Sequence, residues 1–453
     1  MDSLRSVSTL GGRLATARLS LVHLVPSRRE RFALERQNCM PTALIFRNAT
    51  LIDGTGRPAR PTSVVVRDAE IVAVGSEVDA VLPAGIEVSE VDCDGFTLIP
   101  GLIDAHSHLS YFPHAKGPMG LNYSVSLEEN TVRAVINAAI YLRHGFTTIL
   151  DVGTRGRIAS VLRDIISEGL VPGPRVIASG QVMSTTGGLM NSYPDWVKVS
   201  HGNGAAVDSK DSIRHEVRRQ SLSGVDNIKL GITGQLGTRA REWLLLSTDE
   251  VAIAVDEARR RDLTVAAHAY GRAAVEAAIK GGVDTVHHAF AGLTDATLDL
   301  LADSSAYLVP TAMVFVDKTP PPTWSKSTAD YFNQHIDKYM DALRKVADSE
   351  LRDRVIVGSD SGISNPTATT AREIVLLERL GFSVEDAIRA ATLSAARALR
   401  IDKEVGSLEV GKTADLCLVK GDLTTNLDAL LQPENFHLVL KSGKVVAREG
   451  ILA

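Results

Sequence analysis

Residues 98–110 read LIPGLIDAHSHLS, an apolar run that closes on His106 and His108, two positions apart. In an extended backbone the side chains at i and i+2 leave the same face, so both imidazoles aim at a common point. That is the arrangement a metal ion requires, delivered by a strand apolar enough to be buried. Taken alone, the spacing also describes two polar residues at a strand end, and only ligands from elsewhere in the chain decide between the readings.

Downstream, the chain repeats a rhythm of apolar strand, polar loop and amphipathic helix. Strand-like segments follow at TTILDVG (147–153), RVIASGQ (175–181), NIKLGIT (227–233), TVAAHAY (264–270), DTVHHAF (284–290), YLVPTAM (307–313) and RVIVGSDSG (354–362). With the first segment they make eight. Stretches between them, such as 247–262 and 271–282, have helical spacing, and Ser247 with Glu250 forms a capping box. Eight such units predict an α/β fold built on a (β/α)8 TIM barrel over 98–400, since a doubly wound sheet more often uses five or six strands. The stretch 317–348 is longer than an ordinary connection and is expected to lie over the barrel mouth. Residues 40–97 instead alternate short β-branched runs with turns, and 401–453 return to that style. The two ends are therefore expected to build one small β-sandwich.

The chain has 453 residues, is 44% hydrophobic and 23% charged, and carries a net charge of -5. This suits a soluble globular protein and gives no general case for nucleic acid. No apolar run reaches the roughly 18 residues of a membrane span. Cys39, Cys93 and Cys417 form no C-x-x-C pair, which fits a reducing, cytoplasmic compartment and argues against zinc held by thiolates. Residues 1–39 differ in style, with seven arginines, no lysine and three acidic residues. They read as an extraneous or disordered extension, with a transit peptide as the other reading, because Met40 opens a good strand start.

In barrels of this kind the working residues sit at the C-terminal ends of the strands. Read in order, those ends carry His106 and His108, then Lys229, His268, His288 and Asp360. Each alone has a plain explanation: a hydrogen-bonded histidine, a solvated lysine, an aspartate in a turn. Their coincidence on the correct strands points to a metal site.

These residues resemble the amidohydrolase superfamily, specifically its binuclear branch with a metal-bridging lysine. The likeness covers about residues 42–450, including LSAARALRIDKEVGSLEVGKTADLCLVKGDL at 393–423. The resemblance implies that His106, His108 and Asp360 hold the more buried metal and His268 and His288 the more exposed one. Lys229, carboxylated by carbon dioxide, bridges the two. His287 is a neighbour on the opposite strand face; the family usually places Glu-His here with the second residue as ligand, which selects His288. A lysine carbamate is a bidentate oxygen donor, whereas the free ammonium repels cations. Two ions bring a shared water into its hydroxide form near neutral pH, and one polarises the substrate carbonyl. By the same resemblance Asp360 would accept a proton from the attacking water and pass it to the departing nitrogen, and Asp360, Lys229 and His288 would make up the catalytic set. Zinc fits these ligands, as do manganese, cobalt and iron.

Within the superfamily the chain is similar to metal-dependent Xaa-Pro dipeptidases, ochratoxin amidases, imidazolonepropionase-like proteins and phenylurea hydrolases. HAYG at 268–271 and STTGG at 184–188 carry that likeness. The resemblance assigns substrate binding to Tyr270. A histidine commonly follows the two glycines in these relatives; Leu189 and Met190 stand there here. With Tyr111, Phe112, Met183 and Met313 they suggest an apolar pocket for a neutral, aryl-bearing amide, urea or carbamate such as a phenylurea. The alternative is an Xaa-Pro dipeptidase or N-acyl amino acid hydrolase, with Tyr270 and Arg155 receiving a carboxylate. A mononuclear deaminase would lack Lys229 in its ligand set, and a non-enzymatic scaffold would lack the complete site. Small-molecule substrates, no nucleic acid and no membrane are the expected partners; a homo-oligomer stays open.

Overall fold

A computed structural model describes residues 42–75, 78, 86–111, 125–191, 196, 199, 201–235, 238–316, 325–362 and 370–453. The leader 1–39, Phe112 and the start of the 317–348 segment lie outside the described residues.

Five strands open the chain: β1 (Thr42–Leu51), β2 (Arg60–Arg67), β3 (Glu70–Val74), β4 (Glu87–Asp92) and β5 (Phe96–Pro100). Nine follow: β6 (Leu102–Ser107), β7 (Phe146–Asp151), β8 (Arg175–Ala178), β9 (Val182–Ser184), β10 (Gly204–Ala206), β11 (Asn227–Gly231), β12 (Thr264–Ala269), β13 (Thr285–His288) and β14 (Tyr307–Val309). Four close it: β15 (Leu416–Lys420), β16 (Phe436–Lys441), β17 (Lys444–Arg448) and β18 (Ile451–Leu452).

The two ends of the chain share one mixed sheet of nine strands, in the order β18-β17-β16-β15-β5-β1-β2-β3, with β4 paired to β1. Its junction is the antiparallel ladder of β5 with β15, where Leu98 lies opposite Leu418. Phe46, Leu51, Val64, Leu98, Leu416 and Leu438 pack its buried core. The pairing is that of a continuous sheet, which the alternation of each end could not reveal, because which strand pairs with which is a non-local choice.

Between the ends, all ladders are parallel: β6-β7-β8 form one set and β10-β9-β11-β12-β13-β14 another. Seven of the eight expected strands stand where the apolar runs predicted, fully buried along β6, β7, β11, β12 and β13, as parallel strands flanked by helices must be. The eighth segment forms no strand ladder and is joined by isolated parallel bridges, Leu308 to Val355 and Ser107 to Ser361; a third bridge, Ser179 to Asn227, links the two sets. The helix Thr248–Arg259 has the expected capping box from Ser247 and Glu250. Among the described residues no helix is long and apolar enough to cross a membrane.

Candidate functional site

The strand ends bring four imidazoles, a carboxylate and an amine together. His106 is the last residue but one of β6 and His108 directly follows the strand; both direct Nε2 at one oxygen of Asp360, at 3.2 and 3.3 Å. This trio is the described His/Cys/Asp/Glu group whose ligand atoms lie close enough to share an ion, all within 4.8 Å of one another. The His288 ring centroid is 4.8 Å from that of His106 and 4.7 Å from that of His268, so the exposed and buried halves of the expected centre adjoin.

Each of the four histidines has one ring nitrogen anchored by a group other than Asp360. His108 Nδ1 meets the Gly153 carbonyl at 3.0 Å, His268 Nε2 the Gly234 carbonyl at 3.2 Å, and His288 Nδ1 the Thr311 hydroxyl at 2.8 Å. His106 Nδ1 meets His287 Nδ1 at 2.7 Å. Anchoring one nitrogen to orient the other is how metal-ligating histidines are held. Burial favours the neutral ring, which is the ligand form, at three of them: His106 and His268 are both pushed down to about 3, by burial first and then by the Lys229 ammonium. His288 is likewise held well below its ordinary value, by burial and the neighbouring imidazoles. Burial opposes ionisation of Asp360, yet His106 and His108 outweigh it and keep the carboxyl well below its ordinary range.

Lys229 lies in β11 and is 2% exposed, and its Nζ has no hydrogen-bond partner among the described residues. Burial brings it down to about 7, against the pull of Asp360. An orphaned buried amine is costly as a structural device. It fits a group that carries something further when the site is complete.

The second layer was largely hidden in the sequence. Asp104, two residues before His106, accepts from the backbone N–H of His106 at 3.0 Å and of Ser359 at 3.1 Å, and from the Ser359 hydroxyl at 2.6 Å. It thereby ties β6 to the segment that carries Asp360. Asp151 accepts from the Leu109 and Gly153 N–H groups, which fixes the carbonyl that anchors His108. His288, Thr311 and Asp360 all have left-handed backbones, with φ of 68°, 49° and 51°. Such positions cost on the order of 1–3 kcal/mol each and persist only where neighbours enforce them. Tyr339 supplies one such restraint, sharing its hydroxyl proton between the carbonyls of His288 and Pro310 at 2.7 and 2.8 Å. It belongs to the helix Lys326–Ala347, so this part of the long 317–348 segment packs against the backbone that carries His288.

One assignment is corrected. His287 does not face away from the centre: its ring centroid lies 4.7 Å from that of His106. The alternation rule holds only while the backbone stays extended, and the left-handed turn at His288 lets successive imidazoles approach the same centre.

Of the expected substrate residues, Tyr270 packs edge-on against His268 at 4.4 Å, and Tyr111 stacks on His108 at 4.3 Å. Leu189 presses on Gly231, two residues beyond Lys229 on the same strand face, where a Cβ would lie 2.7 Å from that of Leu189. Leu189, Met190, Tyr111 and Val182 form one buried apolar cluster. Met313 is buried at the start of a short helix. Arg155 is committed to backbone carbonyls, those of His201 at 3.3 Å and Val125 at 3.0 Å. A residue outside those expectations, Arg241, places its guanidinium 4.8 Å from the Tyr331 ring centre.

Comparison with known proteins shows the family to which this chain is similar. The Amidohydrolase family model matches residues 97–446. The ochratoxinase of Aspergillus niger is 25% identical over 430 residues, covering 88% of this chain and 86% of that protein. A Xaa-Pro dipeptidase structure with methionine bound in its active site superposes with a TM-score of 0.78 at 27% identity, over 89% of this chain and 99% of the other. A phenylurea hydrolase B structure, with a TM-score of 0.66 at 21% identity over 90% and 98% of the two chains, shares the fold.

Proposed function

The chain belongs to the amidohydrolase family and is a hydrolase of carbon–nitrogen bonds, and from that premise we propose that it cleaves a small, neutral, aryl-bearing amide, urea or carbamate with two divalent metal ions. The observation that carries the metal reading is the set of four histidines, each anchored through one ring nitrogen, gathered around Asp360 and an orphaned buried lysine. His106, His108 and Asp360 would hold one ion and His268 and His288 the other, with carboxylated Lys229 between them. Bound there, the ions would supply an acidified water and polarise the substrate carbonyl. Zinc suits these donors, and manganese, cobalt or iron would also be accepted.

The residues' own parts follow from their positions. At a midpoint of about 7, much of Lys229 is unprotonated amine near neutral pH, the form whose nitrogen attacks carbon dioxide, releasing a proton as the carbamate forms. Asp360, kept ionised, is poised to accept a proton from the attacking water and pass it to the leaving nitrogen. Tyr270 stands against His268, from where it would meet the substrate's acyl part.

The neutral-substrate reading draws on the apolar cluster beside His108 and on the commitment of Arg155 to backbone carbonyls. A second reading, an Xaa-Pro dipeptidase or N-acyl amino acid hydrolase, is favoured by Arg241, whose Nε is buried without a hydrogen-bond partner among the described residues and whose guanidinium lies over the Tyr331 ring. Tyr331 joins Tyr270 through the rings of Phe290 and Phe315. Assaying a phenylurea and an anilide beside an Xaa-Pro dipeptide and an N-acyl-proline separates the two. Turnover confined to the carboxylated compounds, and lost in Arg241→Met, overturns the neutral reading. We also read the parallel strands as a closed (β/α)8 barrel over 98–400, supported by the three isolated bridges, and the continuous sheet of 40–97 and 401–453 as folded into a small β-sandwich around the core of Phe46, Leu98 and Leu438.

A further inference from the structure

His287 is fully buried, and both of its ring nitrogens are engaged. Nδ1 lies 2.7 Å from His106 Nδ1, and Nε2 lies 2.8 Å from Thr285 Oγ1. Thr285 and His287 are two apart on β13, so their side chains share a face by strand geometry. A hydrogen bond between two imidazole nitrogens needs one N–H and one lone pair, which makes the tautomers of the two rings interdependent.

For His106 to offer the Nε2 lone pair to an ion shared with His108 and Asp360, its proton must sit on Nδ1. His287 Nδ1 must then accept that proton's hydrogen bond, and the His287 proton must sit on Nε2. The Thr285 hydroxyl oxygen accepts from it and completes the order. We propose that His287 is a positioning residue for the metal centre, holding His106, through the Thr285–His287–His106 chain, in the tautomer and orientation that bind metal. This rests on the metal reading given above. An imidazole provides that acceptor without placing a second buried anion beside His106 and Asp360.

The test is Co²⁺ titration of the metal-free protein, followed by visible absorption, with thermal unfolding of the metal-free forms as the control. His287→Phe keeps the ring volume but removes the acceptor, and its Co²⁺ dissociation constant is expected to rise about 10–100-fold, the usual cost of losing a group that orients a ligand. His287→Asn places an amide oxygen near the Nδ1 position and is expected to restore most of the affinity. Thr285→Val should weaken binding in the same direction by less. Wild-type affinity in His287→Phe overturns the proposal. So does equal weakness in Asn and Phe, or a loss of affinity that only follows a loss of metal-free stability. Failure of the wild-type protein to bind Co²⁺ removes the metal reading itself, an outcome distinct from failure of the His287 variants alone.

Discussion

Replacing Lys229 by methionine should stabilise the empty protein and destabilise the loaded one. The folded chain holds the amine at about 7 against an ordinary 10.5, because burial disfavours the ammonium. Between those two values the unfolded chain binds a proton that the folded chain does not, so stability rises with pH across that window. Below pH 7 both states are protonated and the whole penalty is present. At about 1.4 kcal/mol per pH unit it amounts to at most about 5 kcal/mol, falling to about 2 kcal/mol at pH 9 and vanishing above 10.5. Methionine has similar length and no charge to desolvate. In metal-free buffer purged of carbon dioxide, Lys229→Met should therefore be the more stable protein at pH 6, with the advantage shrinking toward pH 9. With bicarbonate and a divalent metal present the sign should reverse. An ion at a thousandfold excess over its dissociation constant stabilises the wild type by about 4 kcal/mol, and the variant forfeits the share that needs a bridge. Thermal unfolding under both conditions, with elemental analysis of metal content, checks this. Two metals per chain in the variant, with the wild-type gain on loading, would refute the bridging role. No stabilisation of the empty variant at pH 6 would refute the argument that the amine is strained by burial.

Three further outcomes follow. Asp360→Asn should lower kcat by about 10²–10⁴-fold on whichever substrate is turned over, the usual worth of a general acid–base group; activity within tenfold of wild type would remove Asp360 from proton transfer. Gly358→Ala would put a Cβ 2.4 Å from Val309 Cγ1 and 2.7 Å from His106 Cβ. It should cost about 1–3 kcal/mol in denaturant unfolding and weaken metal binding by shifting His106, and wild-type values of both would show that the strand gives way freely. Glu373, buried and accepting from the Ala312 and Met313 N–H groups, is raised to about 7 by burial against an ordinary 4.5. Between those values the folded chain holds a proton that the unfolded chain has lost, so stability falls as pH rises through the window. Glu373→Gln should escape that loss and gain up to about 3 kcal/mol relative to wild type between pH 4.5 and 7, and parallel pH profiles in unfolding would contradict it.

Why the ligands could be read from sequence and their supports could not is a matter of locality. His106, His108, Lys229, His268, His288 and Asp360 each lie within or just after an apolar run, and burial along those runs is a property of a few adjacent residues. What holds them is remote or irregular. Tyr339 is 51 residues from the His288 carbonyl it restrains, and Asp104 is 255 residues from Ser359. Neither pairing leaves a trace in periodicity. His287 escaped for another reason: alternation presumes extended backbone, and the φ of 68° at His288 breaks it at the one position where the inference was applied. The left-handed residues at His288, Thr311 and Asp360 would each cost on the order of 1–3 kcal/mol if nothing opposed them. The bonds that oppose them come from Tyr339 and Asp104, with Glu373 securing the chain directly after Thr311. None of these three side chains is a proposed ligand, so the geometry of the centre depends on groups that the chemistry alone would never single out.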